Sequence, residues 1–134
     1  MTAKEYLSQA FYLNRRIETK QRQLERLKAL TTKATSTLSD MPKSKNMEKS
    51  PMEKILVKAL DLESEIAKDL DELIDVTRKI REVISQVGRI DYETILEMRY
   101  LDFMKWEDIA AEMNLSQDYV YQIHRKALRL VHID

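Results

Sequence analysis

The stretch WEDIAAEMNLSQDYVYQIHRKAL, from Trp106 to Leu128, decides the fold. Ile109 and Ala110 fall on the inner face of a short helix, where the small Ala110 admits the close approach of a second helix. Asn114-Leu115 interrupts that pattern, with Leu115 as the apolar plug of a tight turn. Ser116 follows as an N-cap, its hydroxyl placed to accept from backbone N–H groups two or three residues on, and Asp118 in the first turn suits the positive end of the helix dipole. Val120, Ile123, Ala127 and Leu128 then share one helical stripe. Gln117, Asp118, Tyr121, Gln122 and Arg125 share the opposite, solvent-facing side. The segment reads as a helix-turn-helix whose outward face is what a recognition helix presents to a major groove, although two such helices also serve as plain packing units in many helical proteins.

Upstream, Ile95, Leu96, Met98 and Tyr100 give a preceding helix its own apolar face. Trp106 is expected as core beneath the helix-turn-helix, with an indole N–H contact to a DNA backbone as the alternative. His124 is expected at the surface. Lys105, Arg125, Lys126 and Arg129 are the cations placed for phosphates.

From Glu93 to Val131 the chain resembles region 4 of the sigma-70 family, in a helix like Thr94-Ile-Leu-Glu-Met-Arg-Tyr100 before the helix-turn-helix and in a Lys-Ala-Leu-Arg ending like Lys126 to Arg129. Over most of its length, including the acidic helix KALDLESEIAKDLDEL from Lys58 to Leu73, it is similar to small phage and prophage proteins of the ArpU-like late transcriptional regulator type. The resemblance implies a cytoplasmic regulator, in the host cell if phage-encoded, that binds double-stranded DNA and acts with RNA polymerase at late-gene promoters. In the sigma family the residues matching Gln117, Asp118, Tyr121 and Gln122 meet an upstream promoter element. Here only Gln122 keeps the family's residue type and Asp118 its charge, while Gln117 and Tyr121 stand where arginines are usual, which implies a different target sequence.

Composition sets the outer limits. With 134 residues, one glycine, two prolines and 34% charged residues, a mostly helical chain is expected. There is no cysteine, so neither a disulfide framework nor a thiolate metal site is available. No apolar run approaches the roughly 18 residues that span a membrane, and the first residues lack the apolar core of a signal peptide. No nucleophile, base and orienting acid converge, so no enzyme, no cofactor and no metal is expected. Net charge is zero but unevenly spread: Lys and Arg number 11 against 5 Asp and Glu over residues 1–50, then 6 against 9 over 51–87 and 6 against 9 over 88–134. The expected DNA module is therefore net acidic, which predicts modest intrinsic affinity, because phosphate neutralisation supplies most nonspecific binding.

Residues 2 to about 30 carry a heptad-like stripe: Ala3, Ala10, Ile17 and Leu24 on one seam, Tyr6, Leu13 and Leu27 on the other, broken by Lys20. Arg15, Arg16, Lys20, Arg22, Arg26 and Lys28 make the polar side basic, expected as a solvated face rather than a nucleic-acid or membrane surface. From Thr31 to Pro51 the run TTKATSTLSDMPKSKNMEKSP reads as a mobile linker. A second long helix is expected from about Met52 to Val87, opened by Ser50-Pro51. Its seams are Ala59, Ile66, Leu73, Ile80 and Val87, and Ile55, Leu62, Val76 and Val83, with Leu56, Leu70 and Ile84 widening the stripe. Asp69 interrupts a seam position, a device that fixes register or faces a partner. Glu63, Glu65, Asp69, Asp71, Glu72 and Asp75 are expected, for the most part, as a solvated acidic face rather than a metal or acid–base cluster, and Gly88 as a helix C-cap and hinge.

The expected architecture is all-α: a coiled-coil-like helical hairpin over 1–87, with its linker at about 31–51, followed by the sigma-70 region 4-like helix-turn-helix over 88–134. The expected DNA-binding set is Lys105, Ser116, Gln117, Asp118, Tyr121, Gln122, Arg125, Lys126 and Arg129, and the long helices are expected to pair within the chain or in a homodimer. Two other functions fit the same pattern: a DNA-packaging protein of the small terminase kind, and an adaptor whose helix-turn-helix grips a protein.

Overall fold

A computed structural model of the protein describes residues 1–38 and 50–133, with side chains for 1–33 and 50–133. The described residues form helices and no strand: α1 (Ala3–Leu7), α2 (Gln9–Leu38), α3 (Pro51–Ser85), α4 (Ile90–Tyr100), α5 (Trp106–Met113) and α6 (Gln117–Arg129). No helix among them is long and apolar enough to cross a membrane.

Local chemistry explains most of these boundaries. Thr2 and Glu5 close a capping box on α1: the Glu5 N–H donates to Thr2 Oγ1 (3.1 Å) and the Thr2 N–H to Glu5 Oε2 (3.3 Å). Ser8 separates α1 from α2, its hydroxyl donating to the Lys4 carbonyl at 2.7 Å. Ser50 caps α3 by accepting from the Glu53 N–H (3.2 Å), with Pro51 in the first position, where its missing N–H costs nothing. Gly88 ends the same helix region at φ +89, and no neighbour lies within 4 Å of the space a Cβ would fill, so backbone conformation alone favours glycine there.

Helix α2 continues through 31–38, where the sequence suggested a linker. The threonines there cost a helix only a few tenths of a kcal/mol each, and no glycine or proline intervenes before Pro42. The rest of the expected mobile linker, residues 39–49, lies outside the described residues.

The chain forms two compact units, Met1–Asn14 with Glu72–Asp134, and Arg15–Asp71. This division differs from the expected one at 87/88. The reason is burial: Leu7 and Ala10 from the start of the chain and Ile80 and Ile84 from α3 belong to the same core as Ile95, Leu96, Ile109, Val120 and Ala127. Fully burying a Leu or Ile side chain contributes roughly 1.5–3 kcal/mol, so these four residues anchor both segments. Within this unit α6 packs on α1, α4 and α5.

In the second unit α2 and α3 run antiparallel. Arg16 and Lys20 reach Asp69, while Leu27 and Leu30 line the same groove as Lys54, Ile55 and Lys58. Ile17, Leu62 and Ile66 are buried, and Leu24, Leu27, Ile55 and Ala59 half-buried. Leu56 and Leu70 do not widen the buried stripe: both are exposed, at 49% and 43%, together with Leu60. Leu56 lies about 120° round the helix from Leu62, and Leu70, one turn beyond Ile66, falls at the margin of the stripe. Ile84, by contrast, is fully buried, in the first unit.

Candidate nucleic-acid interface

Helices α5 and α6 are joined by a turn whose geometry follows from Asn114 and Ser116. Asn114 adopts the left-handed conformation (φ 56, ψ 43), which asparagine tolerates better than most residues, and the Leu115 N–H donates back to the Ala110 carbonyl at 3.0 Å. Leu115 is half-buried against the core. Ser116 then caps α6, its Oγ accepting from the Tyr119 N–H at 3.1 Å.

The inner stripe of α6 consists of Val120, Ile123, Ala127 and the half-buried Leu128, packed with Ile109 and Ala110 of α5. Gln117, Asp118, Gln122, Arg125, Lys126 and Arg129 are exposed, as are Ser116 and Lys105, the N-cap residue of α5. Tyr121 is only half-exposed, its ring edge-to-face with Trp106 at 5.4 Å between centroids. The face is polarised. Arg125, Lys126 and Arg129 occupy the last turns of α6, where cations also complement the helix dipole, whereas Glu107, Asp108 and Glu112 are exposed on α5.

Behind this face sits a polar core cluster. His124, expected at the surface, is 93% buried: its relative exposure is 7%. Its ring lies 4.5 Å from that of Trp106, and Nε2 shares a hydrogen bond with the Tyr100 hydroxyl at 2.6 Å. Its position four residues after Val120 and three before Ala127 places it on the inner stripe, a signal that its polarity masked; its partner Tyr100 lies 24 residues away. Burial, reinforced by the charges of Lys4, Arg99 and Arg125, brings its pKa down to about 4, so the ring is neutral at pH 7. Burial likewise pushes Tyr100 up to about 12. Trp106 is partly buried, its ring lying 4.6 Å beneath the Arg99 guanidinium, which itself donates to the Met104 carbonyl (2.9 Å).

The fold and this surface define a small all-helical protein with a capped two-helix turn near its C-terminal end. The family described as "Protein of unknown function (DUF1492)" matches residues 33–132, and the chain belongs to it. No curated protein and no solved structure matches the chain.

Proposed function

We propose that the chain is a sequence-specific DNA-binding transcriptional regulator of phage type, with α5 and α6 as a sigma-70 region 4-like helix-turn-helix and α6 as the recognition helix. One observation carries the reading: a capped helix whose apolar stripe is locked into the core while Gln117, Asp118, Gln122 and Arg125 stand exposed along its other side. Gln122 is suited to bidentate pairing with adenine, Asp118 to a cytosine amino group, and Tyr121 to a thymine methyl or a phosphate. Ser116, Lys105, Arg125, Lys126 and Arg129 serve the phosphates.

Because the module carries more carboxylates than cations, full affinity comes from assembly, through RNA polymerase at late-gene promoters or through a homodimer. Exposed Leu56, Leu60 and Leu70 on α3 support self-association. Selection of bound genomic fragments followed by gel shifts tests the proposal: Gln122→Ala and Arg125→Ala each remove the specific shift with helicity intact, and unchanged binding in both overturns it.

A second reading, a protein-binding adaptor, is supported by the exposed Glu107, Asp108 and Glu112. Failure to bind any DNA at low salt selects it. A DNA-packaging role of the small terminase kind requires a large ring, which a mass measurement in solution separates from a monomer or dimer.

A further inference from the structure

A cleft of about 260 Å³ lies between the start of the chain and the α4–α5 connection, within the first unit, on a side of the core that the recognition helix does not line. Its walls hold Lys4, Phe11, Tyr12, Arg99, Phe103 and Trp106, and Tyr100 stands behind them. Five of the chain's nine aromatic residues, including its only tryptophan and both phenylalanines, thus line one concavity.

We propose that this cleft is a binding site for a small aromatic anion, a single planar ring carrying a phosphate or carboxylate. Two cations line the cleft and no carboxylate does, in a region where acids outnumber bases. The Arg99 guanidinium is fixed by Trp106 and the Met104 carbonyl, and it keeps further N–H groups for an anion. The Lys4 ammonium makes no ion pair among the described residues. Lys4 and Arg99 line the same cleft.

The shape of the cleft also suits a planar ring. Phe11 stands edge-to-face with Phe103 (5.9 Å) and with Tyr12 (5.4 Å), which makes a preset aromatic wall. Tyr12 is 70% exposed, an arrangement that folding alone does not reward. Phe103 is held at φ +59, a backbone conformation that costs a bulky residue about 1–2 kcal/mol and that glycine adopts freely. The volume is at or below the lower end of small-molecule sites, about 300 Å³, which suits one ring and one anionic group rather than a dinucleotide.

Trp106, as the sole tryptophan, reports occupancy directly. Titration of the full chain with phenyl phosphate and with 4-hydroxybenzoate is expected to give a saturable change in its fluorescence with Kd below about 1 mM for at least one of them. Inorganic phosphate and benzyl alcohol, which carry only the charge or only the ring, are expected to give none. Lys4→Gln and Tyr12→Ala, both at exposed positions, are expected to weaken binding by about fivefold or more with helicity unchanged. The proposal is overturned if neither aromatic anion saturates by about 10 mM, if phosphate or benzyl alcohol alone matches them, or if both variants bind as the parent does.

Discussion

Lys20 and Asp69, the residues that interrupt the apolar seams of their respective helices, meet each other: Lys20 Nζ lies 2.7 Å from Asp69 Oδ2. Arg16 completes the site with a second contact to the same carboxylate, 3.0 Å to Oδ1. Asp69 is 94% buried, at 6% relative exposure, and the Lys20 hydrogen bond outweighs its desolvation, with Arg16 adding to the effect, so its pKa stays below the usual aspartate value. The pairing also opposes a one-turn slide of α2 that would set Leu24 opposite Asp69, since the carboxylate would then face an apolar residue.

The first expected outcome concerns this pair. Asp69→Ala removes the carboxylate from the partly buried Lys20 ammonium and is expected to lower stability by about 2 kcal/mol in urea unfolding, whereas Lys20→Met combined with Asp69→Leu recovers most of that loss, because replacing a whole buried pair by apolar groups is often neutral. A double variant as unstable as the single one would show that the seam positions do not face each other. The double variant is also expected to lose uniqueness of register.

Acid destabilises the protein through His124. Its pKa is lowered from 6.5 to about 4, so the folded state holds fewer protons than the unfolded one between these values. Its contribution is complete above about pH 6.5 and disappears as pH falls towards 4, a loss on the order of 3 kcal/mol. Tyr100, raised to about 12, contributes in the opposite direction of pH: its share is present below about pH 10 and is lost as pH climbs to 12. Thermal unfolding from pH 7 to 4 is expected to show a shallower acid slope in His124→Gln than in the parent, whereas Asp69, whose carboxyl is held below the usual aspartate value, gives up its contribution only at still lower pH.

The turn between α5 and α6 depends on one hydroxyl. Ser116→Ala removes the acceptor for the Tyr119 N–H and is expected to cost about 1 kcal/mol; Ser116→Asp is expected to restore it. Chemical denaturation of the three proteins measures both, and an Asp variant no better than Ala would assign the stability of the turn to Asn114 instead.

Under the proposed DNA-binding function, base reading and phosphate binding are expected to separate by salt. Gln122→Ala is expected to cost about 1–3 kcal/mol on the selected sequence and to relax its specificity without altering the salt dependence. Lys126→Ala is expected to weaken all sequences alike and reduce the slope of log affinity against log salt by about 1. Binding isotherms at several salt concentrations distinguish them.

Much of this architecture was legible because it rests on local chemistry. The Ser116 cap, the Ser50-Pro51 start, Gly88 and the Val120–Ile123–Ala127 stripe are each set by neighbours within a few residues. What escaped involves partners distant in sequence. His124 reads as polar surface until Tyr100 and Trp106 are placed beside it, and Ala10 reads as part of a hairpin seam when, with Leu7, it shares a core with Ile80 and Ile84. Exposed Leu56 and Leu70 show the converse error: apolar type does not by itself assign a residue to the buried side.

The shared core of the two chain segments has a practical consequence. A fragment cut at Gly88 keeps the whole of α4, α5 and α6 but forfeits Leu7, Ala10, Ile80 and Ile84, each with no exposed surface in the intact protein. Ile95, Leu96 and Val120 would lose part of their cover and become sticky. Deletion mapping is therefore a treacherous guide to this protein: lost activity after trimming the first ten residues reports a collapsed scaffold before it reports a missing contact.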